Sequence, residues 1–188
     1  MTEMVEEFDV VVIGAGPAGA LAATLLANKD VRVLVLEKTI FPRFVIGESL
    51  LPQSMAYLEK AGLLQAVEAA SFQKKNGASF CNDLHSTSIN FCDKFTEGWD
   101  TTYQVPRDEF DMLLAQEAGR AGADVRFDQT VTDVSFDETD AVLKGTGPEG
   151  NFQIKCRFVV DASGYGRVLP RLLSLNTPSD FPKRHALF

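Results

Sequence analysis

Six residues near the start of the chain, Gly14-Ala15-Gly16-Pro17-Ala18-Gly19, constrain its fold more than any other stretch. Alone, a G-x-G-x-x-G pattern is weak; its setting makes it credible. Residues 9–13 form a short, β-branched and almost wholly apolar run, as expected of a parallel strand buried on both faces. Residues 18–28, rich in alanine and leucine, read as a helix, and residues 31–36 as a second buried strand. Together they predict a βαβ unit beginning almost at the first residue.

Each glycine has a distinct task in such a unit. Gly14 permits the tight turn. Gly16 lets a pyrophosphate approach the backbone, and Gly19 lets the helix pack closely on the strands. The helix N-terminus offers unpaired N–H groups and partial positive charge to the phosphates. Glu37 ends the second strand, 18 residues after Gly19. A carboxylate there can accept both hydroxyls of an adenosine ribose and would repel a 2′-phosphate. The neighbouring Lys38 is grouped with it as a cofactor-binding candidate. The nucleotide could be NAD or FAD. The bland alternative is an incidental Gly-rich turn with a surface glutamate.

Beyond Glu37 the βα alternation stops. Residues 40–51 have no clear period and read as an ordered loop. Pro52 suits the first turn of a helix with Met55 and Leu58 on its apolar face and Gly62 at its C-terminal cap. Residues 63–69 read as another short helix. Residues 78–80 and 87–91 look like strands divided by a polar turn. Phe110, Leu113, Leu114, Ala118 and Ala121 share one helical face, ended by Gly122. Residues 124–127 predict a third core strand. A β-meander follows over residues 131–136 and 141–146 and a strand with Phe152, Ile154, Cys156 and Phe158 alternating inward, extended by Val159 and Val160. The expected fold is α/β, a parallel sheet with a three-stranded antiparallel crossover.

The 18 basic and 26 acidic residues leave a net charge of −8, which argues against nucleic acid or an anionic membrane as partner. No apolar run is long enough to span a bilayer, and the acidic opening is unlike a signal peptide. Cys81, Cys92 and Cys156 have no C-x-x-C spacing, and His85 and His185 lie far apart. Reduced thiols in a cytoplasmic protein with no metal site are expected.

The stretch Phe41-Pro42-Arg43-Phe44-Val45-Ile46-Gly47-Glu48-Ser49-Leu50-Leu51-Pro52 decides between nucleotides. It resembles the large FAD-dependent family that includes aromatic hydroxylases, geranylgeranyl reductases and flavin-dependent halogenases, and looks most like the halogenase and reductase branch. Gln104-Val-Pro-Arg107-Asp-Glu-Phe110-Asp111, Gly122-Ala123-Asp124-Val125 and Val160-Asp161-Ala162-Ser163-Gly164 resemble further family segments. The resemblance implies a Rossmann-like FAD-binding domain plus part of a small β-rich substrate domain. Its expected parts are residues 1–75 and 105–175 for FAD, 76–104 for the substrate domain and 176–188 for the start of a remainder.

By position, the resemblance implies that Gly14, Gly16 and Gly19 hold the pyrophosphate and Glu37 the ribose. Arg43, Gly47 and Ser49 would lie along the flavin, Arg107 would reach the phosphate or ribityl region, and Asp161 and Gly164 would close the far side. Arg107 also has a physical reason to face an anion, since a cation at a helix N-terminus is unfavourable by about 0.3–1 kcal/mol. A salt bridge to Asp108, Glu109 or Asp111 would satisfy it equally.

Phe72-Gln-Lys74-Lys75-Asn76-Gly77 resembles the place where flavin-dependent halogenases carry an essential lysine, two residues before a glycine. There, reduced flavin and oxygen convert halide to hypohalous acid, which the lysine holds and aims at an aromatic substrate. Lys75 is therefore the catalytic candidate; otherwise it is half of a solvated lysine pair. Glu48 is a weaker acid–base candidate, better read as organising its loop. Trp99, Phe91, Phe95 and Tyr103 could line an aromatic pocket or be core of a small sheet.

The family's later Gly-Asp motif and the halogenase Trp-x-Trp-x-Ile-Pro motif are not found in these residues. The chain is therefore expected to be an N-terminal fragment. The activity implied is monooxygenase or halogenase chemistry on a small organic substrate, with NAD(P)H or a partner flavin reductase supplying electrons. A double-bond reductase and a non-catalytic nucleotide-binding module remain as alternatives.

Overall fold

The computed structural model describes residues 5–183. β1 (Glu6–Ile13) enters the Gly-rich turn, α1 (Pro17–Ala27) leaves it, and β2 (Val33–Leu36) completes the βαβ unit. After the long loop come α2 (Pro52–Ala61) and α3 (Leu64–Ala69). Four short strands follow: β3 (Gln73–Lys75), β4 (Gly77–Cys81), β5 (Ser86–Asn90) and β6 (Thr102–Gln104). The chain then runs through α4 (Arg107–Arg120), β7 (Asp124–Arg126), β8 (Thr130–Phe136), β9 (Ala141–Gly147), β10 (Gly150–Asp161) and α5 (Val168–Leu172).

The main sheet has the order β7-β2-β1-β10-β9-β8. Its first four strands are parallel, and β10, β9 and β8 are antiparallel. The strand expected from Phe152 to Val160 is the twelve-residue β10. It pairs with β9 up to Cys156 and with β1 from Ile154 to Asp161.

The apolar runs of β1 and β2 are explained by two cores. Val10, Val12, Val33 and Val35 join the helices through Ala20, Ala23, Leu114 and Ala118. Val11, Ile13, Leu34 and Leu36 join Val134, Leu143 and Ile154 of the antiparallel strands. Period-two alternation thus feeds two apolar layers, so neither face can be polar. Along β10, Ile154 and Cys156 belong to the second core and Val160 packs against the first. Phe158, expected to point inward, lies where packing switches between them and is 67% exposed.

α1 packs closely on the turn because Gly19 has no side chain. A Cβ there would lie 1.9 Å from the Gly14 carbonyl oxygen and 3.2 Å from the Ala162 Cβ. Gly19→Ala must push α1 outward, and a loss of about 1–3 kcal/mol is expected. Urea unfolding measures it; an unchanged midpoint would mean that the helix shifts freely.

Pro52 starts α2, and Gly62 ends it in the left-handed conformation at φ 77°. The β3–β6 pair was not legible in the sequence, because Gln73-Lys74-Lys75 is short, polar and without apolar alternation. β4 and β5 form a separate hairpin on which Phe80 and Ile89 are exposed. The four aromatics of this region do not form one pocket. Tyr103 is buried in the helix-side core, Phe95 is fully exposed, and Phe91 and Trp99 line a cavity of about 310 Å³ beside Pro52 and Gln53.

Candidate functional site

A cleft of about 460 Å³ opens beyond the C-terminal ends of β1, β2 and β10. In open parallel sheets this is where ligands bind. Its floor is the turn of Gly14, Gly16 and Pro17. Its walls are Glu37 and Lys38 after β2, Arg43, Val45 and Ile46 of the long loop, Arg107 of α4, and residues 129–131 and 162–166.

The three glycines differ. Gly14 stands at φ 102°, and a Cβ there would meet the Ala162 carbonyl oxygen at 2.8 Å. Gly19 is required by packing, as above, and does not line the cleft. Gly16 has an extended backbone at φ −63°, and its missing Cβ would find only Arg43 Nη2, at 3.6 Å. The protein itself therefore leaves room at Gly16, on the open side of the turn. The N-terminus of α1 has no side-chain cap and no acidic residue in its first turn. Its unpaired N–H groups and dipole are thus available to an anion.

Glu37 is buried. Its Oε2 accepts the Ala15 N–H at 2.9 Å, and its Oε1 accepts the Thr39 N–H at 3.0 Å and the Thr39 hydroxyl at 2.6 Å. The carboxylate fixes the turn to the end of β2 while one edge faces the cleft. Lys38 lines the cleft beside it with an exposed side chain. Thr39, Gln129, Thr130 and Arg171 also line this region, though no sequence motif marks them.

Arg43 and Arg107 converge on Asp111, which is fully buried. Arg107 forks onto it with Nε to Oδ1 at 2.8 Å and Nη2 to Oδ2 at 3.1 Å. Arg43 Nη2 lies 3.4 Å from Oδ2. The ion pair weighed as an alternative for Arg107 is therefore present, with Asp111 as its partner, and Arg107 lines the cleft as well. Its Nη1 also donates to the carbonyls of Ile46 and Gly47 at 3.2 and 3.3 Å.

Gly47, Ser49 and Asp161 stand just outside the cleft. Gly47 has φ 113° and lies against Arg107. Asp161 accepts the N–H groups of Ser163 and Leu169 at 2.9 and 2.8 Å and so shapes the turn that presents Ser163 and Gly164 to the cleft. Ser49 bridges to Gln104 and accepts a hydrogen bond from Lys75 Nζ. Glu48 is exposed, and its backbone carbonyl accepts the Val105 N–H at 2.8 Å.

Lys75 ends β3, half buried, with Nζ 3.4 Å from the Leu50 carbonyl oxygen and 5.2 Å above the Phe91 ring. It is joined to the far end of the loop that walls the cleft, but does not itself line it. Burial pushes the Cys156 thiol up to about 11, so it stays protonated at neutral pH. Among the described residues no cluster of His, Cys, Asp or Glu could hold a metal, and no helix is long and apolar enough to cross a membrane.

Residues 7–178 match the model of a family described as FAD binding domain. The chain belongs to this family. Its cofactor is FAD. Over 188 aligned residues it is 35% identical to the 1H-pyrrole-2-carbonyl-[peptidyl-carrier protein] chlorinase of Pseudomonas fluorescens, covering 90% of this chain and 42% of the relative. It is 37% identical to the tryptophan 2-halogenase of Chondromyces crocatus, covering 82% of this chain and 30% of that enzyme. A crystal structure of a flavoprotein/dehydrogenase from Cytophaga hutchinsonii superposes with a TM-score of 0.91 at 50% identity, covering 94% of this chain and 44% of that one. The chain thus spans less than half the length of each. The α/β fold with its mostly parallel sheet is the fold of these FAD-binding proteins.

Proposed function

We propose that the chain is the FAD-holding part of an oxygen-using flavin enzyme of monooxygenase or halogenase type, acting on a small organic substrate. The observation that carries this reading is the placing of Lys75 by Ser49 and Leu50, on the same loop that sends Arg43, Val45 and Ile46 into the FAD cleft. A lysine there is tethered to the cofactor loop yet outside the cofactor's own cleft, as a group that handles a diffusing oxidant would be. The names of the chlorinase and the tryptophan halogenase point to aromatic rings as the substrate class.

The residues suit the cofactor. Gly14 and Gly16, the α1 N-terminus and Arg107 would hold the pyrophosphate, with Gly19 keeping α1 in place; Arg43, expected along the flavin, stands over Gly16 instead and would join them. Glu37 and Lys38 would meet the ribose. Gly47 and Ser49 would run along the flavin, and Asp161 and Gly164 would close the far side. Bound FAD supplies two-electron chemistry with oxygen. Lys75, partly desolvated, would donate hydrogen bonds to the resulting oxidant and direct it at the ring.

Residues 76–104, with the exposed β4–β5 hairpin, belong in this reading to the substrate domain, residues 1–75 and 105–175 to the FAD domain, and 176–188 to the start of the remainder. Of that last segment, residues 184–188, with His185, lie outside the described residues. Electrons would come from NAD(P)H bound transiently or from a partner flavin reductase. The unpaired Cys81, Cys92 and Cys156 suit a reducing cytoplasm.

The test uses the purified natural full-length protein. Flavin absorption bands, followed by halide-dependent modification of an indole, phenol or pyrrole probe with reduced flavin and oxygen, are expected. Hydroxylated product without halide incorporation would assign the monooxygenase branch. Oxygen-independent saturation of a double bond would instead favour a reductase, the reading that the 50% identical flavoprotein/dehydrogenase supports.

A further inference from the structure

A fully buried carboxylate stands behind the two arginines of the cleft. We infer that Asp111 is the positioning residue of the pyrophosphate site: it holds Arg43 and Arg107 as one preformed cationic pair. The inference rests on the reading that these two guanidiniums face the pyrophosphate.

The geometry has three parts. Asp111 lies one turn into α4, completely enclosed, and takes a two-point fork from Arg107 and the edge of Arg43. Arg107 uses its remaining Nη1 to hold the carbonyls of Ile46 and Gly47, which fixes the loop wall. The Arg43 side chain stands above Gly16, 3.6 Å from where a Cβ would be, and its guanidinium lies 4.5 Å from the centre of the Phe41 ring. One carboxylate thus links the long loop, α4 and the Gly-rich turn. No buried side-chain polar atom among the described residues lacks a hydrogen-bond partner.

Two cations against one buried anion leave one surplus positive charge beside the uncapped N-terminus of α1. Without Asp111, two guanidiniums facing one cleft would repel each other and swing towards water. Held by it, they are oriented before any ligand arrives, and little side-chain freedom remains to be lost on binding. Asp111 itself does not line the cleft, so it acts through the arginines.

The sign of the effect of Asp111→Asn separates positioning from simple charge. The substitution adds one positive charge to the site, so charge alone would tighten FAD. Positioning predicts the reverse: at least tenfold weaker FAD, read by fluorescence quenching on the folded apo-protein, and a shallower salt dependence of the dissociation constant. A double-mutant cycle with Arg107→Gln should show a clearly smaller Asp111→Asn loss, because only Arg43 is then left for Asp111 to hold. Unchanged or tighter FAD binding in Asp111→Asn, or equal losses in both backgrounds, would overturn the inference.

Should Asp111→Asn not fold, Arg107→Lys serves in its place. It keeps the charge but loses the fork, and it should bind FAD nearly as weakly as Arg107→Gln. Wild-type affinity in Arg107→Lys would overturn the positioning role. If Arg107→Gln itself leaves affinity unchanged, the pyrophosphate reading has failed rather than the role of Asp111.

Discussion

Gly16→Val is expected to abolish FAD binding while leaving the apo-protein folded. The backbone at Gly16 is at φ −63° and ψ 178°, an extended conformation that a β-branched residue accepts, and Pro17 favours it at the preceding position. No protein atom stands closer than 3.6 Å to the added Cβ. The apo melting temperature should therefore move by no more than about 2–4 °C, the shift that ~1 kcal/mol produces in a chain of this size. The valine branches would occupy the open side of the turn, where a pyrophosphate must approach the backbone. A loss of at least a hundredfold in affinity, roughly 2.7 kcal/mol, is expected. Titration of FAD into refolded apo-protein measures it. Wild-type affinity would move the pyrophosphate elsewhere, and a collapsed melting temperature would make Gly16 a packing glycine like Gly19.

In the halogenase branch of the proposed function, Lys75→Ala in the full-length protein is expected to lower halogenation by about a hundredfold or more, the scale of removing one electrostatic stabiliser from a reacting centre. FAD affinity and the rate of flavin reoxidation by oxygen should stay within about twofold, because Lys75 does not line the cleft. Lys75→Arg should not restore activity, since a planar fork cannot replace a compact ammonium group. Equal loss of FAD binding and turnover would instead make Lys75 a strut between β3 and the loop. The spacing Lys75-x-Gly77 does not decide the matter. Gly77 has a packing reason of its own, because a Cβ there would lie 2.4 Å from the Ile89 carbonyl oxygen across the β4–β5 hairpin.

All three glycines of the turn look alike in the sequence. The structure divides them into two that the fold requires and one that it leaves free. The sequence offers Asp111 only as one of three possible partners for Arg107, and nothing in its spacing tells that it also faces Arg43. The β3–β6 pair and the separation of Tyr103 from Phe91 and Trp99 were equally out of reach. Each depends on segments brought together across tens of residues.

The βαβ unit, the Gly-rich turn, Glu37 at the end of β2, Pro52 and Gly62 at the two ends of α2 and the antiparallel meander are legible from the residues alone. These are governed by hydrophobic period, by the conformations that glycine and proline permit, and by short-range turn chemistry. Which side chains share a charge, which glycine has room for a ligand, and how one strand serves both halves of the sheet emerge only once the chain is folded. Such contacts join residues distant along the chain, and no local pattern records a partner that only packing brings near.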